Sequence, residues 1–184
     1  MILVKENFLP EKAFTGLQKE CAETEFKKVK AGDKEFLCME TPSWLYEPLM
    51  IERHRIIFTF VRMAKSDFDT DWRIHADNMI AGQKPVLASV LYINDDHGVT
   101  PNGTAFWQHF KHGHRLSDDV TEEEFNRLLE EDANQKENFT MTDKIMARPN
   151  RLLVYDSRFF HSKYPKAIKE GERIVCATFY VKVD

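Results

Sequence analysis

The chain has 184 residues, of which 42% are hydrophobic and 30% charged, and its formal net charge at pH 7 is −4. This length and composition are typical of one globular domain and exclude long disorder, a collagen-like repeat and a coiled-coil rod. The apolar runs are far shorter than the roughly 20 residues that a membrane helix needs, and the acidic balance argues against a nucleic-acid partner.

The first 54 residues carry mainly helical patterns. The segment Pro10 to Lys30 is predicted to be a helix because its apolar residues recur three to five positions apart: Phe14, Leu17, Cys21 and Phe26. Gly32-Asp33 is expected to end it, and Lys34 to Glu40 is predicted as a short strand. A second helix is predicted from Thr41 to about Arg53, with a proline in its first turn.

Short strands dominate the rest of the chain. Runs rich in β-branched and aromatic residues predict strands at Ile56–Met63, Pro85–Asn94, Gly103–Trp107, Arg151–Tyr155 and Arg173–Lys182. A cluster of turn-forming residues from Asn94 to Gly98 closes the second of these. From Asp71 to Asp77 apolar and polar residues alternate, which predicts a further strand with Arg73, His75 and Asp77 on one face.

A polar region, residues 108–149, contains one clear helical segment, Thr121 to Glu131. Thr121 is expected to cap this helix, and Glu124 three residues later completes a capping box. Helices first and many short strands afterwards predict an α+β chain, mainly β. We expect a sandwich or barrel core with the helices packed on one side.

The most informative triplet is His75-Ala76-Asp77. On a strand, residues i and i+2 point to the same face, so this imidazole and this carboxylate are able to bind one metal ion. His161, which follows a predicted strand, is the candidate third ligand. Two histidines and one carboxylate leave three coordination positions open, the arrangement that suits non-haem iron(II).

A candidate anion-binding residue follows these ligands. Arg173 lies twelve residues after His161 and opens the last apolar strand. A guanidinium that faces the interior pairs well with a carboxylate. Three lysines are alternative partners for such an anion: Lys163, Lys166 and Lys169.

His75-x-Asp77, a distal His161 and Arg173 on the next strand together resemble the 2-oxoglutarate- and iron(II)-dependent oxygenases, most closely their prolyl-4-hydroxylase-like branch. The resemblance extends over about Ile56 to Val183 and includes further similar segments: Leu91–Asn94, Gly103–Phe106 and Arg173–Tyr180. One departure is Val175, because some relatives have a serine two residues after the arginine.

The resemblance implies a fold. It is a double-stranded β-helix, a cupin-like jelly roll, with the N-terminal helices packed on the major sheet. The chain would then be a single oxygenase domain over residues 1–184. Residues 1–54 would be its helical support, and residues 55–184 its jelly-roll core with a polar insertion at about 108–149.

The resemblance also implies the chemistry. Iron(II) would bind to His75, Asp77 and His161, together with 2-oxoglutarate and dioxygen. The distal carboxylate of 2-oxoglutarate would pair with Arg173, and the phenol of Tyr92 would donate a hydrogen bond to it. The expected activity is hydroxylation of a C–H bond in a peptide, an amino acid or a small metabolite, with release of succinate and CO2. Halogenating relatives lack the carboxylate ligand, so Asp77 favours hydroxylation.

Other interpretations stay open. His75 and Asp77 form a simple hydrogen-bonded pair in one of them, and Tyr92 is an ordinary core residue in another. At the level of the whole protein, the alternatives are a cupin-like metal enzyme that does not use 2-oxoglutarate and a non-catalytic jelly-roll binding module.

A second histidine-rich segment and the cysteines complete the picture. His109, His112 and His114, with His97 nearby, form a patch that could bind zinc or copper, but no cysteine or carboxylate at suitable spacing completes a structural site. We expect a polar loop near the mouth of the first site. Three cysteines at no metal-like spacing, and an N-terminus without a signal-peptide pattern, favour reduced thiols and a cytoplasmic location.

Overall fold

The structure of the protein is a computed structural model, and it describes residues 1–31, 34–66, 68, 73–94, 102–164, 168 and 170–183. Within these ranges ten strands form two antiparallel sheets, so the protein is mainly β. The larger sheet has the order β1-β8-β5-β10-β4-β3-β2 and the smaller one β7-β6-β9. The strands are β1 Ile2–Lys5, β2 Lys27–Ala31, β3 Lys34–Glu40, β4 His54–Lys65, β5 Leu87–Tyr92, β6 Gly103–His109, β7 Phe139–Met146, β8 Leu152–Asp156, β9 His161–Tyr164 and β10 Glu172–Lys182.

Helices cover the outer faces of both sheets. Helix α1 (Glu11–Glu23), a 3₁₀ turn (Ser43–Leu45) and helix α2 (Tyr46–Leu49) pack on the larger sheet, where Leu17, Leu45 and Cys176 belong to one buried cluster. Helix α3 (Glu122–Arg127) continues into a π-helical turn (Leu128–Asp132), and a short 3₁₀ turn (Lys136–Asn138) follows. Leu128 of the π-helical turn packs on the smaller sheet against Trp107 and Phe139.

A third cluster fills the space between the two sheets. Alternate residues of the larger sheet, Tyr92, Tyr155 and Val175, meet Phe106 of the smaller sheet there. Their sequence neighbours Leu91, Val154 and Cys176 point the other way, toward the helices. This alternation follows from the two-residue period of a strand. It identifies an inner face that carries the candidate site residues.

Several predicted elements are confirmed. The strand Lys34–Glu40 is β3, and the five strand segments predicted after residue 55 lie at β4, β5, β6, β8 and β10. The Thr121 hydroxyl accepts a hydrogen bond of 3.2 Å from the backbone N–H of Glu124, so the predicted cap is present. The predicted breaker Gly32-Asp33 and residues 95–98 of the predicted turn lie outside the described residues.

Both N-terminal helices are shorter than predicted. Helix α1 ends at Glu23 because Thr24 is already extended (φ −96°, ψ 134°), and the lysine-rich segment that follows pairs with β3 as an edge strand. The second helix ends at Leu49 rather than at about Arg53, which has a positive φ of 59° in the turn that leads into β4. A left-handed residue cannot continue a helix.

The predicted strand from Asp71 to Asp77 is not a strand in its described part, and Asp71 and Trp72 lie outside the described residues. His75 forms an isolated antiparallel bridge with His161, the first residue of β9. The described part of this segment therefore pairs with the smaller sheet at one point instead of along a ladder, while Ile74 and Ala76 pack on its outer face.

Four strands have no counterpart in the sequence predictions. Strands β1 and β9 have four residues each, β2 lies in the predicted first helix, and β7 is a mostly exposed edge strand. Such strands are specified by pairing with a neighbour more than by an apolar pattern of their own. As for membranes, no helix within the described ranges combines the length and apolar character that crossing a bilayer requires.

Candidate metal centre

The structure brings His75, Asp77 and His161 together. One ligand atom from each of the three residues lies within 4.8 Å of the other two. The Nε2 atom of His75 is 3.8 Å from one carboxylate oxygen of Asp77, and that of His161 is 3.9 Å from the other. Reciprocal backbone hydrogen bonds of 3.0 and 2.8 Å between His75 and His161 fix the two segments to each other.

Both imidazoles are oriented by backbone carbonyls. His75 Nδ1 lies 2.9 Å from the carbonyl oxygen of Arg73, and His161 Nδ1 lies 2.8 Å from that of Phe159. A carbonyl oxygen only accepts, so each Nδ1 donates its proton to it. In the neutral rings this leaves a lone pair on both Nε2 atoms, which is the form that binds a metal ion.

Burial sets the electrostatics of the centre. The pKa of Asp77 is raised to about 6 by its burial, an effect that the nearby His75 partly offsets. Burial also lowers the pKa of His161 to about 4, so this imidazole is neutral at pH 7. The Oδ2 atom of Asp77 is buried and has no hydrogen-bond partner among the described residues.

These features fit a divalent cation. Ligand atoms about 2.1 Å from a common metal ion lie about 3.0–3.5 Å apart, so small side-chain rotations would close the observed distances. A cation would also satisfy the orphaned oxygen of Asp77, whose burial as a charge is otherwise costly. The His75 side chain is 37% exposed, against 9% for that of His161, so the centre opens to solvent on the His75 side.

The two predicted co-substrate residues lie on the inner face of the larger sheet. Arg173 is 7% exposed and shares this face with Val175, two residues further along β10. Its guanidinium carbon lies 5.7 Å from the ring centroid of Tyr92. The Tyr92 hydroxyl forms a 2.8 Å hydrogen bond with Thr104 Oγ1 of the smaller sheet. Burial raises the pKa of Tyr92, so its phenol is protonated at pH 7.

One of the alternative lysines also belongs to this region. Lys163 pairs directly with Thr104 across β9 and β6. Directly opposed residues point to the same face of a sheet, so Lys163 lies on the face that carries Thr104. Lys166 and Lys169 lie outside the described residues.

Tyr155 is a site residue that the sequence predictions missed. Its ring meets that of His161 edge-on at a centroid distance of 4.8 Å. Its pKa is raised well above the ordinary value, first by burial and then by the charge of Asp77. Tyr155 therefore contacts one candidate metal ligand and belongs to the same buried cluster as Tyr92. Its place at the end of a predicted strand, six residues before His161, is the signal that could have identified it.

The histidine-rich segment has a different role from a metal site. His109 Nδ1 accepts hydrogen bonds of 3.2 Å from the backbone N–H groups of Lys111 and His112, so the ring proton is on Nε2. That Nε2 lies 3.2 Å from a carboxylate oxygen of Asp132, to which it donates. With its lone pair used by a turn and its proton by a carboxylate, His109 has no free nitrogen for a metal ion.

The location of this segment also differs from the prediction. The His109 ring packs against Phe139 and Phe160, on the outer face of the smaller sheet. His161 lies opposite Phe106, on the inner face of the same sheet, so the segment is not at the mouth of the metal centre. His97 lies outside the described residues, and His114 is exposed. Among the residues that the structure describes, His75, Asp77 and His161 form the one group suited to a metal ion.

Comparison with known proteins identifies a family. The sequence profile of a family of unknown function, DUF6445, matches residues 45–173. The matched range contains both histidines and the aspartate of the metal centre, and it ends at Arg173. None of the curated proteins matches the chain.

Solved structures share the fold at low sequence identity. HygX from Streptomyces hygroscopicus, solved with nickel, 2-oxoglutarate and hygromycin B bound, is 14% identical with a TM-score of 0.64, over 98% of this chain and 82% of its own. The non-haem α-ketoglutarate-dependent carbocyclase SnoK from nogalamycin biosynthesis is 13% identical with a TM-score of 0.68, over 100% and 80%. A viral collagen prolyl hydroxylase from Paramecium Bursaria Chlorella virus-1 is 9% identical with a TM-score of 0.53, over 100% and 90%.

Proposed function

The chain belongs to the DUF6445 family, and we propose that it is an iron(II)- and 2-oxoglutarate-dependent oxygenase with a double-stranded β-helix core. The observation that carries this proposal is the convergence of two Nε2 lone pairs on a buried carboxylate whose Oδ2 has no hydrogen-bond partner among the described residues. Enzymes described as dependent on 2-oxoglutarate, or solved with it bound, share the fold, which supports the choice of co-substrate. We assign residues 1–184 to one oxygenase domain.

The metal ligands in this proposal are His75, Asp77 and His161. Iron(II), when bound, supplies the redox chemistry that couples decarboxylation of 2-oxoglutarate to oxidation of the substrate. The chain orients the two imidazoles through the carbonyl oxygens of Arg73 and Phe159, and burial keeps that of His161 neutral. It also keeps Asp77 buried, so that this carboxylate binds a cation in preference to water.

Arg173 would bind the distal carboxylate of 2-oxoglutarate. Its burial on the inner face strengthens such a charge-assisted pair, because little water competes for either group. Tyr92 would donate its phenol proton to the same carboxylate, and the hydroxyl of Thr104 would then donate its own proton to the phenol oxygen. Val175 supplies no hydroxyl, so the contact that some relatives make through a serine is lost here.

The reaction that we propose is hydroxylation of a C–H bond in a peptide, an amino acid or a small metabolite, with release of succinate and CO2. The prolyl-4-hydroxylase-like resemblance and the presence of the carboxylate ligand Asp77 support this choice. The proteins that share the fold also include a carbocyclase and an epimerase, so the fold by itself does not select among these outcomes.

The test is oxygen-free titration of the purified protein with iron(II) and then 2-oxoglutarate. We expect metal binding, a visible absorption band on addition of 2-oxoglutarate, and slow succinate formation once air is admitted. Asp77→Ala should abolish the band and the succinate while the circular dichroism spectrum is kept. Succinate at the wild-type rate from this variant would refute the ligand assignment.

The same titration separates the alternative functions. Metal binding without any response to 2-oxoglutarate would favour a cupin-like metal enzyme. Failure to bind iron(II), cobalt(II) or nickel(II) would favour a non-catalytic binding module.

A further inference from the structure

Arg158 is a buried cation next to the metal centre, and no step of the proposed function uses it. It lies in the turn between β8 and β9 and is only 3% exposed. Its Nη1 donates a hydrogen bond of 2.5 Å to Oδ1 of Asn78, which is itself 4% exposed. Its Nε and Nη2 donate to the backbone carbonyls of Leu116 and Ser117.

These contacts link the two chain segments that supply the metal ligands. Asn78 directly follows Asp77 in the chain, and Arg158 precedes His161 by three residues. The backbone N–H of Asp77 donates a 2.8 Å hydrogen bond to the carbonyl oxygen of Ser157, beside Arg158. The distance between Asp77 and His161 therefore depends on this turn.

The segment that carries Asp77 needs such a link because regular pairing does not hold it. Within the described residues its backbone pairs with the smaller sheet through the single bridge between His75 and His161, although Ile74 and Ala76 also pack on that sheet. A guanidinium has a planar set of five donors, so one side chain can hold an amide oxygen and two carbonyl oxygens in fixed directions. Arg158 thus joins the Asp77 segment, the β8–β9 turn and the loop at residues 116–117.

We propose that Arg158 and Asn78 form a positioning pair that sets the Asp77 carboxylate at the right distance from His161 for a divalent metal ion. The inference rests on the metal centre of the proposed function, but it does not depend on 2-oxoglutarate or on turnover. Residues that orient metal ligands typically change metal affinity by 10- to 100-fold when they are removed.

The test is direct titration of the metal-free protein with cobalt(II), followed by its visible spectrum and by calorimetry. Asn78→Ala removes the acceptor for Arg158 and leaves all three metal ligands in place. We expect its cobalt affinity to fall about 10- to 100-fold, with a changed cobalt spectrum. Asn78→Asp keeps an oxygen acceptor for Arg158, so its affinity should stay within about threefold of the wild type.

Asn150 offers a matched control. It is also buried, and its side chain makes hydrogen bonds of 2.8 and 2.7 Å with the backbone of Leu9, which belongs to the outer cluster of the larger sheet. Asn150→Ala should lower the melting temperature without changing cobalt affinity. This comparison separates a positioning role from general loss of stability.

A double-variant cycle completes the test. Arg158→Lys cannot hold Asn78 and both carbonyl oxygens together, so it should weaken cobalt binding as well. If both residues act through one contact, the double variant should lose no more affinity than the weaker-binding single variant. Wild-type cobalt affinity in folded Asn78→Ala, or no cobalt binding by the wild type, would overturn the inference. A wild type that binds cobalt but not 2-oxoglutarate would refute the proposed oxygenase function and leave the positioning role intact.

Discussion

The same local hydrogen bond orients both histidines of the metal centre, whereas the carboxylate has no such bond. In both, the ring Nδ1 donates to the carbonyl oxygen two residues earlier in the chain, Arg73 for one and Phe159 for the other. This contact needs only an extended backbone, so each imidazole is prepared locally. Asp77 has no such local partner for Oδ2, and its position depends on tertiary contacts through Asn78 and Ser157.

The proposed anion-binding role of Arg173 is tested by comparing it with Lys163, a basic residue on the facing sheet. Arg173→Met should raise the KM for 2-oxoglutarate about 10- to 100-fold, because one hydrogen-bonded charge pair contributes about 1.5–3 kcal/mol. Lys163→Met should change it by less than about threefold if Arg173 is the main partner. Succinate formation against 2-oxoglutarate concentration measures both values, and cobalt affinity is the control, since neither residue is a metal ligand. A larger effect from Lys163→Met would transfer the assignment to that lysine.

At the scale of single elements, the smaller sheet depends on close contact between β6 and β7. Gly103 begins β6, and a Cβ atom there would overlap the carbonyl oxygen of Ile145 and lie 2.9 Å from the Cα of Met146. The obstacle is backbone, so it cannot move aside like a flexible side chain. Thr104 and Phe106, which lie on the inner face, follow Gly103 directly along β6. The glycine therefore permits the pairing of β6 with β7 that positions these two residues.

Replacing this glycine should therefore destabilise the protein. Gly103→Ala is expected to lower the free energy of unfolding by about 1–3 kcal/mol, the usual cost of overpacking. Gly16 in α1 is the matched control, because no described atom outside its own helix backbone and its two chain neighbours lies within 4 Å of the position of its Cβ. Gly16→Ala should stabilise the protein by about 0.5–1 kcal/mol through helix propensity. Urea unfolding of both variants measures the difference, and equal stabilities would contradict the close β6–β7 contact.

The strands differ in how well the local sequence pattern predicts them. Strands β4 and β10 pair along most of their length and are rich in β-branched and aromatic residues, so they were predictable. Strand β7 is an exposed edge, and its sequence carries no continuous apolar face; its partner β6 specifies it. His75 and Asp77 were found by alternation although one bridge replaces the expected ladder. The contact between Asn78 and Arg158 joins residues 80 positions apart, so no local sequence pattern predicts it.

At the scale of the whole molecule, the apolar clusters that stabilise the fold and the polar groups of the candidate site lie on opposite faces of the sheets. The outer faces, under the helices, hold mainly apolar clusters such as the one that contains Leu17, Leu45 and Cys176. The inner space holds several groups that are costly to bury, among them Asp77, His161, Arg173, Tyr92 and Tyr155. A buried charge is tolerated where function needs it, at a cost in stability. The buried charge of Asp77 should therefore lower the free energy of unfolding of the metal-free protein.

Asp77→Asn tests this cost directly. The pKa of Asp77 is raised from 3.8 to about 6 in the folded protein, so folding disfavours the ionised form. For a carboxyl group with a raised pKa, the stability of the neutral form is present below about pH 3.8 and is lost as pH rises through about 6. At pH 8 the metal-free Asn variant, which has the same shape without the charge, should exceed the metal-free wild type by about 3 kcal/mol.

This advantage has a characteristic dependence on pH and metal. It should fall to about half at pH 5, where the folded wild type holds a proton on Asp77. Saturating cobalt(II), at about 100 times its Kd, should stabilise the wild type by about 2.7 kcal/mol and leave the variant unchanged. Urea unfolding at pH 8 and pH 5, with and without metal, measures all four values. A variant that is less stable than the metal-free wild type at pH 8 would contradict this prediction. It would show that other groups of the protein stabilise the ionised Asp77 carboxylate in the absence of a cation.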